Sequence, residues 1–197
     1  MKLYHDPNSR SVRVHAVLEE IGVPYELVPV SLKHEEQKLP AHRERHPLAQ
    51  LPVLEDRGMH IFESVAICLY LADRYPEARL APDPASPERG PYLQWCLFVP
   101  GSLEPALTRS HLESTTSSAP SWLPKLDDVF EALTKQLSSR STLLLSGYSV
   151  ADVVVGTTLH QLEHLGAPLP EVLTKYVTNL RSRPAVSRAW DEMPSSR

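Results

Sequence analysis

The chain has 197 residues, 24 of them acidic and 20 basic, for a formal net charge of −4. That length can bury a sizeable core as one large domain or two small ones, and the charge leaves no footprint for nucleic acid or a membrane surface. No stretch carries the roughly 18 apolar residues of a membrane span, and the N-terminus runs into a strand without a basic leader, so the cytoplasm is the expected location.

Lys2 to His5 reads as a strand. Val14, Val17, Leu18 and Ile21 recur at the i, i+3, i+4, i+7 spacing of an amphipathic helix that ends at Gly22. Tyr25 to Val30 gives a second strand, joined so closely that a right-handed parallel crossover is expected. Lys33 to Arg45 is charged throughout and reads as a solvated helix. Leu51 to Leu54 and His60 to Phe62 flank Glu55-Asp56-Arg57-Gly58, a hairpin in which glycine supplies the positive φ. Leu51-Pro52 is a candidate cis bond, since only X-Pro keeps that isomer at low cost. From Ser64 to Tyr75 the sequence is apolar nearly all round, which predicts a helix buried between a sheet and a second layer.

Nineteen prolines are about twice the usual share, and Pro76, Pro82, Pro84, Pro87 and Pro91 separate two kinds of sequence. Before them strands alternate with helices; after them only helical periodicity is found. The expected organisation is therefore an α/β domain over 1–76, a linker over 77–86 and an all-α helical domain over 87–197. In the second part Pro100, Gly101 and Pro105 interrupt Phe98, Val99, Leu103 and Leu107 and predict a kinked helix. Ser114 to Ser121 reads as a Ser/Thr-rich loop. Leu126, Val129, Phe130, Leu133 and Leu137 make one helical stripe, and Leu173, Tyr176, Val177 and Leu180 make another. Ser149 to Asp152 is a capping box that opens a helix too apolar for a surface.

Cys68 and Cys96 stand singly on apolar stretches and predict buried thiols. Of the nine histidines, His42, His46, His160 and His164 are potential ligands, and His160 and His164 have a helical chelate spacing. No carboxylate or cysteine companion stands at a motif distance, so no metal site is expected.

The turn Met1-Lys2-Leu3-Tyr4-His5-Asp6-Pro7-Asn8-Ser9, the loop His46-Pro47-Leu48-Ala49-Gln50-Leu51-Pro52-Val53-Leu54 and the helix start Phe62-Glu63-Ser64 come in an order and spacing that resembles the glutathione S-transferase superfamily. The opening is similar to bacterial cytosolic members with a serine first turn. The resemblance implies a thioredoxin-like N-terminal domain followed by an all-α helical domain, a homodimer, and glutathione as co-substrate for transfer to an apolar electrophile. The same fold also serves non-catalytic glutathione or ligand binding and interaction modules.

Site residues follow from the resemblance by position. Ser9 falls where several subclasses carry their catalytic serine; read from local pattern only, it is a helix N-cap. A hydroxyl donating to the sulfur, aided by the positive end of the helix, would lower the thiol pKa and supply the reactive thiolate. Arg10 stands where a cysteine-type subclass has its catalytic residue, and Ser11 is the other hydroxyl in reach. Ser64 matches the residue that holds the γ-glutamyl carboxylate and Glu63 the one facing its α-amine. Leu51 would pair its backbone with the cysteinyl amide, with Gln50 beside it. Gln37 and Lys38 match positions that reach the glycyl carboxylate. Val65 replaces an arginine that follows the Glu-Ser pair in another subclass. An electrophile pocket is expected between the Ser9 turn and the helix beginning near Pro87.

Overall fold

In a computed structural model, which describes residues 1–116 and 118–193, Lys2–His5 forms β1 as expected. Alternation on this strand assigns its two faces. Leu3 and His5 turn toward the helix α1 (Ser11–Ile21), whereas Tyr4 turns to the opposite side, into an apolar cluster with Val30, Leu51 and Val53. Gly22 ends α1 at φ 74, its N–H returning to Leu18 O.

The chain then enters β2 (Glu26–Pro29), which lies parallel to β1 in the register Lys2↔Glu26. The charged stretch is not one helix. It divides into a 3-10 turn over Glu36–Lys38 and the short α2 (Pro40–Arg43), because Pro40 lacks the N–H a continuous helix would use. β3 (Val53–Asp56) and β4 (Met59–Phe62) follow, and the sheet order is β2-β1-β3-β4 with β3 antiparallel to both neighbours. Their hairpin is tighter than expected. Glu55 and Asp56 belong to the strand, and the turn is Arg57-Gly58 with φ of 49 and 77, the pair of positive angles a two-residue hairpin requires.

α3 (Ser64–Arg74) buries Val65, Ile67, Cys68, Leu71 and Ala72, but Ala66 is exposed and Leu69 and Tyr70 only half-buried, so one edge is uncovered. Arg74 pairs with Asp56, whose carboxylate also accepts from Tyr70 at 2.7 Å, fixing this helix to the hairpin.

α1 is buried over every residue from Ser11 to Leu18, a wider face than the apolar stripe predicts. The reason lies at the other end of the chain. α9 (Pro184–Trp190) packs along α1 with Ala185, Val186, Ala189 and Trp190, while α3 covers another side. Arg183 fixes the docking through two bonds to Glu20, at 2.7 and 2.9 Å. The compact units therefore differ from the expected 1–76, 77–86 and 87–197: Met1–Ala81 and the segment from Arg181 form one, Pro82–Leu180 the other. Residues 194–197 lie outside the described ones.

The second unit is all helical, giving the expected fold class of a thioredoxin-like domain plus a helical domain. α4 (Arg89–Phe98) passes through a π-helical turn at Val99–Leu103 into α5 (Glu104–Thr116), the kink that Pro100 and Pro105 predict. α5 overruns the expected loop through Thr116, where Ser114, Thr115 and Thr116 donate their hydroxyls to carbonyls of the preceding turn at 2.8 Å. Ser117, in the middle of that loop, is outside the described residues.

α6 (Leu126–Leu137), α7 (Val150–His164) and α8 (Glu171–Arg181) complete the unit. α7 is its axis, with Val150 to His160 buried without a break. The capping box is present: Ser149 Oγ accepts from Ala151 N, and Asp152 Oδ2 from Ser149 N at 2.9 Å. Asp152 Oδ1 accepts two more, from Leu143 N and Tyr176 Oη, both at 2.9 Å. Cys68 and Cys96 are buried free thiols.

Candidate active site

The turn between β1 and α1 is built around Asp6. Its Oδ1 accepts from Asn8 N at 2.8 Å and Asn8 Nδ2 at 3.1 Å, and its Oδ2 accepts from Leu32 N at 2.9 Å. Burial opposes the charge on Asp6, but these donors outweigh it and hold the carboxyl below its ordinary value. The turn is thus pinned to the loop after β2.

On this turn Ser9 is half-buried, Arg10 exposed and Ser11 fully buried. Arg10, not Ser9, directly precedes α1, and its side chain makes no cap. Ser9 Oγ nevertheless accepts from Ser11 N at 3.1 Å, so its capping role is present one position earlier. It lies 2.8 Å from Asp6 O and 2.6 Å from Ser11 Oγ, and either hydroxyl of that pair can be the donor. Ser11 Oγ in turn lies 2.7 Å from His5 Nδ1 and 3.0 Å from Asp6 O. When Ser11 donates to Ser9, the Ser9 proton goes to Asp6 O, which a ligand would have to replace as its acceptor. Ser11 has no surface of its own to offer a ligand.

The second element is the loop into β3. Leu51-Pro52 is cis, and the segment before it is held by His42, whose Nε2 lies 2.8 Å from Gln50 O. His46 supports the same loop, its Nδ1 accepting from Leu48 N at 3.2 Å and its ring packing 4.8 Å from that of Phe62. Burial lowers the His46 pKa, favouring the neutral ring that can accept this bond. Gln50 is exposed and Leu51 buried.

The third element is the start of α3. Glu63, exposed, takes φ 69 and ψ 107, a backbone conformation that side chains rarely adopt. Such angles persist where the surroundings over-determine them and concentrate at ligand sites. Ser64 is 6% exposed, and Arg13 Nη1 donates to its Oγ at 3.3 Å. Arg13 is buried one helical turn beyond Ser9, so a single guanidinium ties α1 to the α3 N-terminus. With its oxygen taking that donor, the Ser64 proton can serve an anion beside the orphan N–H groups of the helix start.

The structure thus joins Ser9 to Ser64 through α1 and places Leu51, Glu63 and Ser64 at one end of the sheet. Gln37 and Lys38 lie on the 3-10 turn before α2. Lys38 is exposed, with its ammonium 2.5 Å from Glu35 Oε1, while Gln37 is half-buried. Sequence reasoning missed Arg13 and Asp6. The signal for Arg13 was a charge set between Val12 and Val14, positions that α1 buries.

Residues 1–73 match the family model for the glutathione S-transferase N-terminal domain. A probable glutathione S-transferase of Oryza sativa subsp. japonica, GSTF2, is 32% identical over 214 residues, covering 100% of this chain and 94% of its own. The chain belongs to the glutathione S-transferase family. Another relative, glutathione S-transferase PM239X14 of Arabidopsis thaliana, is 30% identical over 77% of each chain. Among solved structures of family members, the ternary complex of the bacterial transferase BphK superposes with a TM-score of 0.84 at 27% identity, covering 98% of this chain and 99% of that one. A sphingomonad glutathione S-transferase complexed with glutathione gives 0.81 at 27% identity over 98% of both chains. These structures share the thioredoxin-like domain followed by helices.

Proposed function

We propose that this transferase activates the thiol of glutathione for attack on an electrophilic small molecule, with Ser9 as the residue that donates to the sulfur. The observation that carries the assignment is the hydroxyl chain Ser9–Ser11–His5, because it supplies Ser9 Oγ with a donor, so that the Ser9 proton, which faces Asp6 O, can turn to a ligand. A free thiol has a pKa of about 8.5 and is largely protonated at neutral pH. A hydrogen bond to the anion and the nearby start of α1 both favour the thiolate.

Glutathione would be held by its polar ends. Ser64 and the α3 N-terminus take the γ-glutamyl carboxylate, with Arg13 behind them adding positive charge. Glu63 takes the α-amine, and the Leu51 backbone pairs with the cysteinyl amide, with Gln50 alongside. Gln37 and Lys38 are assigned to the glycyl end, which requires Lys38 to leave Glu35, an exposed pair worth about 0–1 kcal/mol.

The protein works in the cytoplasm as a homodimer. No helix among the described residues is long and apolar enough to cross a membrane. The uncovered edge of α3, with Ala66, Leu69 and Tyr70, favours assembly with a second copy.

Replacing Ser9 with alanine tests the assignment. Turnover should fall while glutathione affinity stays nearly constant, because the bond acts on the anion formed at the sulfur. The pKa of the bound thiol, read from thiolate absorbance, should rise toward that of the free thiol. Unchanged rate and unchanged thiol pKa would remove Ser9 from the chemistry; an effect of Arg10→Ala in its place would move the role to that residue.

A further inference from the structure

Three side chains converge behind the Ser9 turn, one of them the His5 that ends the hydroxyl chain. His5 ends β1, His15 lies in the middle of α1, and Glu192 follows α9. His5 Nε2 is 3.3 Å and His15 Nδ1 3.4 Å from the same oxygen, Glu192 Oε2. The three ligand atoms all lie within 4.8 Å of one another. Both imidazoles are 4% exposed, and neither of these two buried nitrogens makes a hydrogen bond.

The opposite nitrogens have partners of their own. Ser11 Oγ, with its proton given to Ser9 Oγ at 2.6 Å, can receive one from His5 Nδ1 at 2.7 Å. His15 Nε2 faces Glu19 Oε1 at 3.8 Å. With each proton on the outer nitrogen, His5 Nε2 and His15 Nδ1 direct lone pairs at a carboxylate oxygen. Three acceptors then face one point with no donor among them, an arrangement that a cation resolves.

We propose that His5, His15 and Glu192 bind one divalent ion of the zinc type, with the remaining coordination position open at the exposed Glu192. Zinc takes imidazole and carboxylate ligands at about 2.0–2.2 Å, and tetrahedral angles then put ligand atoms about 3.3–3.5 Å apart. The two measured separations fall on that spacing. The outer hydrogen bond between His5 Nδ1 and the Ser11 hydroxyl is of the kind that orients a metal-bound histidine. Two imidazoles with one carboxylate suit zinc better than the all-oxygen sites of magnesium or calcium. The ion would clip the C-terminal segment to β1 and α1, so it also stabilises the fold. This assignment does not rest on the glutathione reading.

Zinc chloride titrated calorimetrically into the metal-stripped full chain tests it. One ion per chain is expected, with a rise in the thermal midpoint. Cobalt(II) should give the intense visible absorption of a tetrahedral site. Glu192→Gln, an exposed substitution that leaves the fold alone, should weaken zinc at least tenfold and abolish the thermal shift; His15→Ala should do the same, and His164→Ala should change neither. Absence of zinc binding by the folded parent chain would overturn the site, as would binding that survives Glu192→Gln and is lost in His164→Ala.

Discussion

Asp152→Ala should cost about 3–5 kcal/mol of stability. The carboxylate has no exposed surface and accepts from Leu143 N, Ser149 N and Tyr176 Oη, each at 2.9 Å, so it joins the loop before α7, the α7 cap and α8 at one point. Alanine strands three donors. Each buried donor left unsatisfied costs about 1–3 kcal/mol, or roughly 3–9 in all. Part of that is recovered because the mutant no longer buries a carboxyl, a cost visible in the raised pKa that burial imposes on Asp152. For a chain of this length the net loss corresponds to a fall of the thermal midpoint on the order of 10 °C. Asp152→Asn should lose less, since its carbonyl oxygen still serves one N–H while its amide faces another donor. Urea unfolding of the three proteins measures the differences directly. A loss below about 1 kcal/mol for the alanine variant would mean that the three donors find other partners, and that the capping box is not what organises the helical unit.

Ser64→Ala should weaken glutathione by about 1.5–3 kcal/mol, the value of a hydrogen bond to a charged group, and calorimetry showing wild-type affinity would remove Ser64 from the site. The Asp6 carboxyl is held below its ordinary 3.8 in the folded state. Its contribution to stability is therefore present above that value and lost as pH falls through the lower folded pKa, a dependence that Asp6→Asn should flatten in urea titrations between pH 5 and about 2.5. Sedimentation at micromolar concentration should give a dimer; a mass near the 22.1 kDa monomer would refute the proposed assembly.

What the residues determined by themselves is local. β1 spans the four residues that its pattern marks, Gly22 stops α1, Gly58 supplies a positive hairpin φ, and Ser149 with Asp152 caps α7. Each depends on backbone angles or donors a few positions away, and so can be read from neighbours in the chain. The order of strands, the proline-rich junction and the Glu63-Ser64 helix start were legible for the same reason.

The tertiary structure decided what long-range packing controls. α1 looks amphipathic in sequence but is buried throughout Ser11 to Leu18, because α9 returns from the other end of the chain to cover it. The Arg13 to Ser64 hydrogen bond spans 51 positions, and His5 and His15 meet Glu192 only because α9 docks on α1. The choice between Ser9 and Ser11 as the hydroxyl open to a ligand is also a matter of burial. A local pattern records which backbone a segment prefers; which side chains that backbone brings together, and which it removes from water, is settled only when distant surfaces close on one another.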